Sequence, residues 1–215
     1  MTTTTESTGT SHRPMGTWMS VAGLILGPAL LGLALAIPHD PWTDSLPNYE
    51  LINNDHGLLL LSLNIAAVAI PFACASVVAL AVQARRSRLL SGWGLGCSVL
   101  GLLAMFGNAM LDVPVALMYG IDDRAGLDQL ALRLSEPPLV ALYAFPLFLV
   151  GSLLLGAALW RSGATPPWAA VCIAVGGLFP VAVLTGISAL ALPIAALRIA
   201  GSVPVIKTLV SRAEG

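Results

Sequence analysis

Apolar side chains fill this chain in long runs split by short polar stretches, and each run reaches the roughly 18 residues a helix needs to cross a bilayer. The runs fall at Gly16–Ile37, about Gly57–Gln83, about Ser91–Tyr119, about Pro137–Trp160 and about Pro167–Thr185. A sixth stretch, GISALALPIAALRIAGSVPVI, ends at Ile206. Its length suffices to cross at about 1.5 Å per residue, but no polar loop separates it from the fifth. A tight turn is therefore expected near Gly186–Ser188 or at Leu192–Pro193. The alternative is five spans, with the last segment lying at the membrane surface.

Charge chooses between these. Positive residues accumulate on cytoplasmic loops. With six spans and both ends inside, the cytoplasmic side holds Arg13, Arg85, Arg86, Arg88, Arg161, Lys207 and Arg212, and the other side only Arg124 and Arg133. The outer loops then collect Asp40, Asp44, Glu50, Asp55, Asp122, Asp123, Asp128 and Glu136. Five spans would export Lys207 and Arg212. The expected fold class is thus all-α, a polytopic transmembrane helical bundle of six spans with both termini cytoplasmic. Residues 1–15, polar and Thr-rich, are expected to form a disordered cytoplasmic tail, residues 16–206 the membrane domain, and 207–215 a second tail. Ala34-Leu35-Ala36 would fit a cleavable signal peptide, but the first run exceeds a usual signal core, so an uncleaved helix is expected. Within the second outer loop, GLDQLALRLSE places Leu127, Leu130, Ala131 and Leu134 on one face, the pattern of a surface-lying amphipathic helix.

Composition agrees. Of 215 residues 57% are hydrophobic and only 10% charged, against about a quarter charged in a soluble domain. A net charge of −1 without a basic face excludes nucleic acid as a partner. The three cysteines, Cys74, Cys97 and Cys172, lie inside apolar runs and read as small hydrophobes. The sequence calls for no cofactor and no metal. It has no Walker loop, no H-E-x-x-H and no G-x-S-x-G elbow, and no His lies within a span. His39 and His56 stand near Asp40, Asp44 and Asp55 in the first outer loop, where solvated side chains are the ordinary outcome.

The candidate chemistry is intramembrane. Asn108 and Asp112 sit four residues apart in MFGNAMLDVPVALMYG, on one helical face of the third run. A carboxylate in hydrocarbon costs a few kcal/mol and seeks a partner. Arg198, in the sixth run, is the expected one, with Glu136 as its alternative partner if that run begins late. Asn64, seven residues into the second run, is expected at the same depth. These four, Asn64, Asn108, Asp112 and Arg198, form the candidate polar cluster. It reads as an interhelical brace, with a solute or proton site as the competing interpretation. Gly23-x-x-x-Gly27 and Gly92-x-x-x-Gly96 are candidate close-approach motifs.

Sliding the chain along itself until Pro71 meets Pro146 also aligns Arg86-Ser87 with Arg161-Ser162, Trp93 with Trp168, Cys97 with Cys172 and Gly101 with Gly176. Ten of 38 positions between 66 and 103 are identical in that register. Duplication would make spans two–three and four–five parallel copies, whereas hairpins of similar length also place interfacial Trp at similar spacing by chance. The stretch LLGAALWRSGATPPWAAV, a span ending in Trp-Arg, a Gly/Pro turn and Trp-Ala at the next entry, resembles Ala/Leu/Gly-rich six-span bacterial membrane proteins classed as domains of unknown function. That resemblance implies a bacterial plasma-membrane location and carries over no functional residue. The expected function is a non-catalytic assembly or regulatory module, in contact with the lipid bilayer and a membrane-protein partner or a second copy. A small-solute or proton-coupled transporter and a membrane enzyme working through the first outer loop are the alternatives.

Overall fold

A computed structural model describes residues 14–37, 42–43, 46–47, 54–117, 125–126, 128–129, 146–184 and 187–214. The helices are α1 (Pro14–Ala36), α2 (His56–Gln83), α3 (Arg88–Ala116), α4 (Leu147–Arg161), α5 (Pro167–Val175), α6 (Phe179–Leu184) and α7 (Ala191–Glu214). Between α1 and α2, Trp42–Thr43 and Leu46–Pro47 form a two-residue antiparallel ladder. Four helical stretches, Gly16–Ala36, His56–Gln83, Arg85–Gly107 and Ser188–Glu214, are long and apolar enough to cross a membrane. Leu147–Arg161 and Pro167–Ala182 are shorter apolar helices. The chain is a helical membrane protein.

Several expectations are refined. The join before the last helix lies upstream of Ser188, because a 3-10 turn at Ser188–Leu190 leads directly into α7. Leu192–Pro193 is therefore not the turn. Pro193 falls in the first turn of α7, where a missing N–H costs little. The last helix does not stop at Ile206 but continues through Lys207 and Arg212 to Glu214, so the expected tail is helical over that length. The run expected to form the fifth span is interrupted, with α5 ending at Val175 and α6 starting at Phe179. The expected N-terminal tail, apart from Pro14 and Met15, which open α1, and the first part of span four, 137–145, lie outside the described residues. So does most of the amphipathic segment, of which only Gly126, Asp128 and Gln129 are described.

The helices pack as a ring in chain order, α1 on α2, α2 on α3, α3 on α4, α4 on α5, α5 on α7, and α7 back on α1. Neighbours run antiparallel. Ser62 Oγ donates to the Ala34 carbonyl at 3.1 Å near one end of the α1–α2 pair, and Gly23 meets Ala75 and Ser76 toward the other. At the end where α2 finishes, the Arg212 guanidinium of α7 reaches the Gln83 side chain at 3.5 Å. Arg85, Arg86, Arg88 and Arg161 belong to helix ends at that same pole.

Lipid tails are as apolar as leucine, so helices in a membrane associate through close packing and interhelical hydrogen bonds rather than through hydrophobic exclusion. Glycines supply that packing here. A Cβ on Gly27 would sit 2.9 Å from the Ala73 backbone, and one on Gly94 2.9 Å from Leu155. Gly101 touches the backbone of Phe148, and Gly151 touches Ser98. The two candidate motifs therefore part company. Gly23 and Gly27 both seat α1 on α2, whereas Gly92 and Gly96 face open space. Outside the ring, Leu33, Leu61, Val68, Val78, Leu100, Leu103, Leu153 and Val171 are exposed, as a lipid-facing surface requires. Trp18, Trp93 and Trp168, evenly spaced along the chain, are exposed near the first turns of α1, α3 and α5.

Gly27→Leu should lower stability by about 1–3 kcal/mol, since the added side chain meets backbone that cannot yield. Gly92→Leu should change it by less than about 0.5 kcal/mol. Thermal unfolding of both variants in one detergent measures the contrast.

Candidate functional site

Arg198 stands ten residues into the stretch that begins at Ser188 and nine before Lys207, near the middle of an apolar helix. It is 2% exposed, and among the described residues it is the one buried charged side chain. Its stem lies against Gly176, where a Cβ would come within 2.6 Å of the Arg198 Cβ and 2.8 Å of its Cγ. Gly176 is thus what lets an arginine enter the ring between α5 and α7.

The break between α5 and α6 serves the guanidinium. The Gly177 amide donates to Ala174 rather than back to Ile173, and the Leu178 amide donates to Val175. This tightening from i−4 to i−3 bonds ends α5 and leaves the Ile173 carbonyl open. Arg198 Nη1 donates to that carbonyl at 3.4 Å and to Ser152 Oγ of α4 at 3.0 Å. The guanidinium also stacks on Phe148 of α4, with its carbon 5.2 Å from the ring centroid, a cation–π contact strengthened by exclusion of water. Phe148 in turn meets Phe179 of α6, with centroids 6.5 Å apart. A cation set at the C-terminal end of α5 is also favoured by the helix dipole. Pro180 in the first turn of α6 has no N–H to return to the Gly176 carbonyl, so the interruption cannot close into a regular helix.

Beside the guanidinium is a small cavity lined by Gly27, Pro28 and Leu31 of α1, Ala73 and Ser76 of α2, Phe148, Phe179 and Arg198. Its volume is about 10 Å³, room for roughly one water-sized occupant. Two of its polar groups, Arg198 Nη2 and Ser76 Oγ, are buried without a hydrogen-bond partner. Ser98 Oγ of α3 and Thr165 Oγ1 in the turn between α4 and α5 are also buried without a partner among the described residues.

Of the expected cluster, Arg198 lies in the interior of the ring. Asn64 is exposed on α2 and its amide donates to its own helix, at the Leu60 carbonyl, 2.7 Å away. It precedes the cavity-lining Ala73 by nine residues, about 13 Å of helix, so the structure does not bring it to Arg198. Asn108 and Asp112 belong to α3, and their side chains lie outside the described residues. Asp112 follows Gly101, the residue seated on Phe148, by 11 positions, about 16 Å of helix rise. Glu136, His39, Asp40 and Asp44 lie outside the described residues, and His56 opens α2. Among the described residues no group of three or more His, Cys, Asp or Glu side chains gathers as a metal site would require.

Sequence reasoning identified Arg198 because a charge in an apolar run is conspicuous. It missed Ser152, Ser76 and Phe148. Serine in a membrane helix ordinarily bonds its own preceding turn, as Ser162 does to Leu159 and Ser202 to Arg198, so nothing local singles out Ser76 or Ser152. The signal that was available is Gly176-Gly177-Leu-Phe-Pro180, a helix-breaking sequence in the middle of an apolar run. No family model, no curated protein and no solved structure matches the chain.

Ser152→Ala should destabilise the protein by about 1–3 kcal/mol by removing the hydroxyl that holds a buried charge. With Arg198→Met in place the same change should cost far less, and a double-mutant thermal cycle reads the difference as coupling.

Proposed function

We propose that the chain is a non-catalytic multi-pass module of the bacterial plasma membrane, built of six spans with both termini cytoplasmic. It acts in membrane assembly or regulation through its packed helices, and its acidic outer loops meet a membrane-protein partner or a second copy of the chain. One observation supports this above the others. The buried arginine, the one buried charged side chain among the described residues, spends its Nη1 on joining the end of α5 to α4 and α7. The cavity beside it, about 10 Å³, is too small for a metabolite. The gathering of Arg85, Arg86, Arg88, Arg161 and Arg212 at helix ends of one pole supports the orientation. The two Trp-bearing hairpins, α2–α3 and α4–α5, fit a duplicated unit, with Trp93 69% and Trp168 55% exposed at matching positions.

A second reading, a small-solute or proton-coupled transporter, draws on the interrupted fifth span. Transporters place discontinuous helices at their ion sites, and here the interruption lies against a buried charge.

Two measurements test the proposal. Ser211→Cys should react with a membrane-impermeant thiol reagent only in inverted vesicles, and Asp44→Cys only in right-side-out cells. The opposite pattern, or both residues on one side, refutes the six-span orientation. Proteoliposomes containing the protein should show proton and sodium flux equal to that of protein-free liposomes. A flux lost on Arg198→Met would replace the assembly module with the transporter.

A further inference from the structure

The cavity between α1, α2, α4, α6 and α7 presents a donor pattern that the hydrogen bonds of the ring leave unexplained. Arg198 Nη1 is committed to Ser152 and Ile173, whereas Nη2 is buried with no partner among the described residues. The Ser76 hydroxyl, 1% exposed, is likewise without a partner and lines the same space. The remaining lining residues, Gly27, Pro28, Leu31, Ala73, Phe148 and Phe179, offer only apolar side chains. Two residues with an unpartnered donor therefore line one space for a water-sized body, and none of the eight lining residues is a carboxylate.

The partners that Arg198 does have, a hydroxyl, a carbonyl and a ring face, are dipoles and a quadrupole. They orient a positive charge without cancelling it. Burying an uncompensated ion is far more costly than burying a compensated one. Water in the cavity would satisfy the N–H groups and leave the charge. A monatomic anion would satisfy both, and its preference for donors over acceptors matches a site that offers N–H and O–H groups. Gly27 and Ala73, both lining the cavity, also hold α1 against α2 there, since a Cβ on Gly27 would fall 2.9 Å from the Ala73 backbone.

We propose that Arg198 Nη2 and Ser76 Oγ bind a halide-sized monovalent anion, chloride in the cell, inside the helix ring. The anion neutralises the guanidinium and ties α2 to α7, two helices that are not neighbours in the ring. It is a structural counter-ion, and its presence does not depend on whether the protein acts as an assembly module or a carrier.

The test uses the full chain in nanodiscs, with sodium gluconate exchanged for sodium chloride at constant ionic strength. Gluconate is too large for the cavity. Chloride should raise the unfolding temperature saturably, by about 3–6 °C once it exceeds its dissociation constant roughly tenfold. Ser76→Ala, a small change inside a helix, should raise the half-saturating chloride concentration about tenfold, and Arg198→Met should abolish the response. Should Arg198→Met fail to fold, Ser76→Ala decides. Crystals grown in sodium bromide should show an anomalous peak at hydrogen-bonding distance from Nη2. Equal unfolding temperatures in the two salts, a chloride response unchanged by Ser76→Ala, or water in place of bromide in the cavity would each overturn the proposal.

Discussion

The constraint that organises this molecule is the accommodation of one guanidinium in the middle of an apolar ring. A buried cation needs its N–H groups satisfied, and regular helices have no carbonyls to spare. The fold meets this by breaking a helix. Where α5 ends, the switch to i−3 bonds at Gly177 and Leu178 frees the Ile173 carbonyl, and that carbonyl receives Arg198. The break and the charge explain each other. Without the arginine, an unpaired carbonyl would stand in the interior; without the break, the arginine would lack one of its two Nη1 acceptors.

Glycine makes the arrangement spatially feasible. Gly176 admits the arginine stem, Gly177 admits Ser152, and Gly201 brings α7 onto the backbone of α5 at Ala169. The same device recurs around the ring, with Gly27 on Ala73, Gly32 on Ala195, Gly94 on Leu155 and Gly101 on Phe148. In lipid, where apolar exclusion does not drive helices together, such approaches maximise dispersion contact. The large aliphatic side chains are then free to face outward, and Leu89, Leu100, Leu153 and Leu192 do so.

The two polar side chains compared at similar expected depth show how context decides function. Asn64 satisfies its amide within its own helix, at Leu60, and stays on the outer surface of α2. Arg198 cannot do this. Its long stem carries the charge away from its own backbone, and Gly176 offers it an interior path. Both were conspicuous as polar residues in apolar runs. Which of them would turn inward depended on the helix each one packs against.

Hydrophobic run length by itself determined the helical membrane class and the approximate limits of most of the long helices, because a helix must close its own backbone hydrogen bonds before it can enter lipid. A charge isolated in the last run likewise marked Arg198, since nothing in hydrocarbon compensates it locally. The ring order, the break between α5 and α6, the split behaviour of the two glycine pairs and the partners Ser152, Ile173 and Phe148 were decided by tertiary structure alone. Each depends on which face of one helix meets another, and a chain that is apolar on every face carries no amphipathic record of that choice.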